Sequence, residues 1–137
     1  MIRTKEEWAA TEQGRIHAEK PLIHIEKIGE SDPIPLTPGE RPLSGLRVLS
    51  FVHAVAGPCV GRTLAMQGAE CMNLNMPDWV EFGNFFFTAQ AGQRQAYLDA
   101  RVAENRKRVY KLVEEGDVFV ENLRPGVADR EGYSAQA

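Results

Sequence analysis

Cysteine and histidine are scarce, two and three in 137 residues. Cys59 and Cys71 stand in apolar stretches without C-x-x-C or Cys/His spacing, so they read as buried thiols and no metal site is expected. Serine is rare too: none of Ser31, Ser44, Ser50 and Ser134 falls in G-x-S-x-G, and no Ser/His/Asp triad is readable. Positive charge is not in excess. With 16 basic and 19 acidic side chains the net charge is −3, which denies the chain a global field for nucleic acid or an anionic membrane. Long hydrophobic runs are also missing, because the uncharged stretch that starts at Val48 is broken by His53 and Gly57-Pro58. It is too short and too polar to cross a bilayer. The first fifteen residues mix charges with small side chains and lack the apolar run of a secretory signal, so a cytoplasmic location is expected. What remains, 43% hydrophobic and 26% charged, suits one soluble domain.

Residues 1–41 differ in texture from the rest. Thr4 and Glu7 have capping-box spacing, which predicts a helix over 5–18 with Trp8 as its largest apolar contact. Pro21 stops it. Residues 22–28 are apolar enough for a short strand or packed extended arm, and Pro33, Pro35, Pro38, Gly39 and Pro42 then read as an extended linker. The body is expected from residue 42 to residue 137. It opens with a buried strand over 45–52, a loop over 53–57, a helix with Pro58 in its first turn and Gly68 at its end, and a strand over 69–75. That is the length of a right-handed βαβ unit. Residues 76–92 read as an irregular excursion whose aromatics cover core or cleft. Regularity returns with a strand over 94–98, a helix carrying Val102, Val109, Leu112 and Val113 on one side, a strand over 117–121 and a last helix from about Val127. The fold class is α/β with a mostly parallel sheet and flanking helices.

Ligands in such sheets bind beyond the carboxyl ends of the strands, which points to three loops, 53–57, 99–101 and 122–126. His53 there either orients a ligand or accepts a proton, or is simply satisfied by backbone. Gly57 and Gly61 would admit a phosphate at a helix start, but the loop matches no phosphate-binding fingerprint. The turn Asn122-Leu123-Arg124-Pro125-Gly126 suits an anionic ligand, with Arg124 able to fork onto phosphate; a tight turn with a solvated arginine explains it equally well. Arg94, Arg101 and Arg130 flank the same side of the expected sheet and either add to an anion site or are surface arginines. Asp99 is most simply a helix N-cap, and Arg106, Lys107 and Arg108 alternate with acids as a solvated helix face. No carboxylate pair for acid and base work is identifiable.

In order and spacing, PLSGLRVLSFVHAVAGPCVGRTLAMQGAE, AGQRQAYLDAR and LVEEGDVFVENLRPGVADREGY resemble the N-terminal part of the family III CoA-transferases. That group includes formyl-CoA and carnitine CoA-transferases and α-methylacyl-CoA racemases. The resemblance implies a Rossmann-like domain, incomplete here, that binds the CoA of an acyl-CoA. It also implies a longer chain that forms an interlocked dimer. By motif position, His53, Ala54, Val55 and Ala56 would line the loop near the thioester; Leu98 and Arg101, supported by Arg94, would meet the nucleotide end. Asn122, Leu123 and Arg130 would hold adenine and phosphate, with Arg124 beside them. The family's nucleophilic aspartate, which forms an acyl anhydride and releases CoA, belongs to a segment after residue 137. The racemases' acid and base residues do too. This chain departs from the pattern in four places: Ser50 replaces an acid, Asn73 and Asn75 replace a basic residue and a glutamate, and Gln93 replaces a basic residue. The readings are therefore a CoA-binding portion of a transferase, a racemase or isomerase of the same fold, or a non-catalytic subunit paired with a larger homologous chain. A partner, identical or complementary, is expected because a parallel sheet without its later strands exposes an edge and apolar helix faces.

Overall fold

The computed structural model describes residues 2–35, 38–80 and 83–134. Leu36 and Thr37 of the expected linker, Glu81 and Phe82 of the expected excursion, and the last three residues lie outside that range. The chain divides into two compact units, 1–32 and 33–137.

In the first unit the single helix expected over 5–18 is two. Helix α1 spans Lys5–Ala9 and α2 spans Glu12–Ala18. The first keeps the capping box, with Thr4 Oγ1 accepting from Glu7 N and Glu7 Oε2 accepting from Thr4 N at 2.8 Å. The break comes from Thr11, whose hydroxyl accepts from Gly14 N at 3.0 Å and so caps a second helix in mid-segment. Trp8, expected as the main apolar contact, is exposed. No strand forms over 22–28, where Leu22, Ile23, Ile25 and Ile28 are all exposed, because among the described residues no neighbouring strand pairs with them.

The second unit is built on a four-stranded parallel sheet of order β3-β2-β1-β4, from β1 (Arg47–Phe51), β2 (Glu70–Asn75), β3 (Arg94–Tyr97) and β4 (Val118–Glu121). Helix α3 (Ala56–Met66) joins β1 to β2, α4 (Gly83–Ala89) leads to β3, α5 (Ala103–Glu114) joins β3 to β4, and α6 (Val127–Glu131) follows β4. The strands carry β-branched and aliphatic residues on alternate sides, so each face has its own core. On one, Val48, Ala69 and Cys71 pack under Leu64 and Ala65 of α3. On the other, Leu49, Phe51 and Leu74 pack against Val109, Leu112 and Val113 of α5. Gly68, at φ 103°, ends the α3 turn in a conformation that side chains resist.

The excursion over 76–92 contains α4, which the sequence did not signal. Its three consecutive phenylalanines point around the helix instead of marking one face, and Phe85 and Phe87 are exposed. Its last residue, Ala89, and the following Gln90 are buried.

Candidate functional site

Chain order in the sheet reverses between β1 and β4, since β1 is followed in space by β2 on one side and by β4 on the other. Crossovers leave in opposite directions at such a point, so the strand ends part and a crevice forms. A cleft of about 320 Å³ lies at these carboxyl ends. Phe51, His53, Met76, Trp79 and Leu123 give it an apolar and aromatic wall, and Arg101, Arg124, Glu131 and Tyr133 border it. Trp79 stacks on Phe51 with ring centres 5.1 Å apart and lies 4.6 Å from the His53 ring. Tyr133 meets Phe51 edge to face at 5.5 Å.

The loop after β1 reaches this cleft through an unusual backbone step. Ala54 takes φ 65°, the left-handed region that a side chain disfavours, and so turns the chain into α3. Helix α3 seats closely there: a Cβ on Gly57 would lie 2.6 Å from Val52 Cβ and 2.7 Å from Asn122 Cγ. Beneath α3 and α4 the carboxyl half of the sheet is polar. Asn73, Asn75, Ser50 and Gln90 are buried, and Asn75 Nδ2 donates to Gln95 Oε1 at 2.9 Å. Asn73 and Asn75, two of the four positions read as lost charges, thus belong to an amide cluster that needs no counter-ion.

Arg101 is already engaged. Its Nε donates to Asp99 Oδ1 at 2.8 Å, its Nη2 to Asp99 Oδ2 at 3.1 Å and its Nη1 to Asp78 Oδ2 at 2.9 Å. The hydrogen bonds from Arg101 hold the Asp99 carboxyl below its usual range, and both carboxylates raise the guanidinium's own pKa further. Asp99 is not the N-cap expected of it: Val102 occupies the N-cap position of α5 with no side-chain cap bond, and Asp99 closes a turn by accepting from Arg101 N at 3.0 Å. Burial pushes the Cys71 thiol and the Tyr133 phenol up. Among the described residues no cluster of three or more His, Cys, Asp or Glu stands ready for a metal.

Of the residues singled out in the sequence, the fold brings His53, Arg101, Leu123 and Arg124 to the cleft. Asn122 stands behind it, its amide on the His53 backbone. Ala54, Val55 and Ala56 form the turn into α3; Leu98 packs into the α5-side core. Arg130 lies on α6 outside the cleft wall, its Nε donating to Glu131 Oε1 at 2.9 Å. Arg94, grouped with Arg101 and Arg130 in sequence, opens β3. It borders a separate pocket of about 110 Å³ together with Arg47 and Glu70, at the amino ends of β1 and β2. Parallel strands separate the two ends of an element, so Arg94 and Arg101 cannot share one small site. Sequence reasoning missed the pairing of Asp78 with Arg101 and the seating of Trp79 on His53, because residues 76–82 carry no periodicity that places them.

Fold and cleft together define a Rossmann-like α/β domain with a crevice at its topological switch point. The model of CoA-transferase family III matches residues 43–137, and the chain belongs to that family. It is 34% identical over 94 residues to an acetyl-coenzyme A transferase of Hypoxylon pulicicidum, covering 69% of this chain and 16% of that protein. An acyl-CoA transferase of Gibberella moniliformis is 27% identical over 143 residues, covering all of this chain and 25% of the relative. A CAIB/BAIF family protein from Brucella suis superposes with a TM-score of 0.62 at 31% identity, over 70% of this chain and 29% of that structure. The chain thus spans about a sixth to a quarter of the length of these curated relatives.

Proposed function

We propose that the chain binds the CoA moiety of an acyl-CoA in the switch-point cleft, as the CoA-binding portion of a protein that moves CoA between carboxylic acids. The observation that carries this reading is the composition of the cleft. An aromatic and aliphatic wall of Phe51, His53, Trp79 and Leu123 stands beside two arginines, Arg101 from the loop after β3 and Arg124 from the loop after β4. A ligand that carries a flat ring and phosphates in one half fits that combination, because the wall takes the ring and the guanidinium groups take the anions. At about 320 Å³ the cleft holds part of such a ligand, and the rest runs along the surface. Among the described residues Arg124 forms no ion pair, whereas Arg101 must exchange a carboxylate for the phosphate. Arg124 is therefore the principal anion contact. The outer edges of β3 and β4, which have no strand partner among the described residues, support a further chain or segment beside the sheet.

Calorimetry with CoA tests the proposal. Binding is expected for the native chain, and Arg124→Ala should weaken it about tenfold, the worth of one charge-assisted contact. Absence of heat at millimolar CoA, with the chain folded by circular dichroism, overturns it.

A further inference from the structure

Regular pairing of β1 ends with Ser50 against Asn73 on one side and Phe51 against Glu121 on the other. Beyond that point the ladder continues through side chains. Val52 N donates to Asn73 Oδ1 at 3.3 Å, and Asn73 Nδ2 donates back to Val52 O at 3.2 Å. One residue later, His53 N donates to Asn122 Oδ1 at 3.1 Å, and Asn122 Nδ2 donates to His53 O at 3.0 Å. An extended residue directs its N–H and C=O to one side and its successor directs them to the other. Asn73 accordingly holds Val52 from the β2 side and Asn122 holds His53 from the side of β4. A carboxamide suits both places, since it carries an acceptor and a donor on one carbon and needs no counter-charge. Its orientation is fixed as well: turned over, each amide would set NH₂ against N–H and oxygen against oxygen.

We propose that Asn73 and Asn122 are positioning residues that clamp the last two residues of β1 and so set the geometry of the His53–Ala56 loop. This rests on the reading of the cleft as a CoA site. The clamp explains why Ala54 keeps a left-handed φ of 65°: a disfavoured backbone persists when its surroundings over-determine it, and both residues before Ala54 are held through both of their polar groups. The same turn sets the His53 ring 4.6 Å from that of Trp79 and leads the chain into α3. Asn73 is fixed in its turn, for its Nδ2 lies 3.1 Å from Gln90 Oε1 and 3.2 Å from Asn75 Oδ1. Asn122 would then act on the ligand through the loop it holds.

Asn122→Asp separates this role from simple packing. Its carboxylate still accepts from His53 N but meets His53 O with like charge, and protonation restores a donor. CoA affinity of the variant should fall about tenfold at pH 7.5. The ratio of native to variant affinity should then narrow as the pH is lowered to 5, while that for Asn122→Ala stays wide. A ratio near one for both variants, or one that does not change with pH in Asn122→Asp, overturns the clamp. Amide hydrogen exchange provides a readout independent of CoA and of variant folding. In the native chain the Val52 and His53 amides should be protected like that of Leu49 within β1, and fast exchange at either overturns the proposal. If the native chain binds no CoA, the CoA reading fails alone, and the exchange result still decides the clamp.

Discussion

At Arg101 two carboxylates compete with any incoming anion for one guanidinium. Both lie near the surface, so water and salt weaken each pair, and neither is a large store of stability. On the proposed CoA reading their weight is on binding: Asp78 places a negative charge 2.9 Å from the guanidinium proposed to receive a phosphate. Asp78→Asn should therefore strengthen CoA binding about two- to fivefold at low salt, with the gain shrinking at high salt, as read by calorimetry. Asp99 has a consequence for pH. Its carboxyl is held below the usual value of 3.8 by Arg101, so the native state releases that proton more readily than the unfolded chain does. The contribution of the pair is complete above 3.8 and is lost as the pH falls through the lowered value. A carboxyl-carbon NMR titration should place the Asp99 midpoint below 3.8, and Arg101→Ala should return it toward that value.

Elements reach the site only as closely as their smallest residues allow. Gly57 lets α3 settle against Val52 and the Asn122 amide, and an added Cβ at 2.6 and 2.7 Å would push the helix off both. Gly57→Ala should cost about 1–3 kcal/mol in chemical denaturation, the usual penalty of overpacking, and should also loosen the His53 loop. The elements themselves differ in how plainly the sequence announces them. β1, α3 and β2 are legible because a dense aliphatic strand, a proline in the first helical turn and Gly68 follow one another at the spacing of a crossover unit. Helix α5 is legible from Val109, Leu112 and Val113 at helical intervals, all of which pack into one core. The break between α1 and α2 is not, because a threonine serves a helix interior and a cap equally well until its hydroxyl finds Gly14 N. Nor is α4, whose Phe85, Phe86 and Phe87 carry hydrophobicity without a period.

On the scale of the molecule, residues 1–32 and 33–137 hold together separately. A chain starting at Pro33 should therefore unfold cooperatively within a few degrees of the full chain and keep its CoA affinity; loss of either, by calorimetry, would show that the first unit supports the sheet. The sequence by itself determined the parallel α/β layout and the three carboxyl-end loops, since periodicity, Gly and Pro punctuation and crossover length are local properties of a chain. It also marked Arg101 and Arg124 as residues of those loops. Only the tertiary structure decided which arginines share a site. It set Arg94 apart on another pocket and closed Arg101 between Asp78 and Asp99. It also turned Asn73 and Asn122, 49 positions apart in sequence, into neighbouring clamps on Val52 and His53. The reason is physical: strand spacing and pleat direction decide where amides and charges meet, and residues distant in sequence become adjacent only when the sheet has formed.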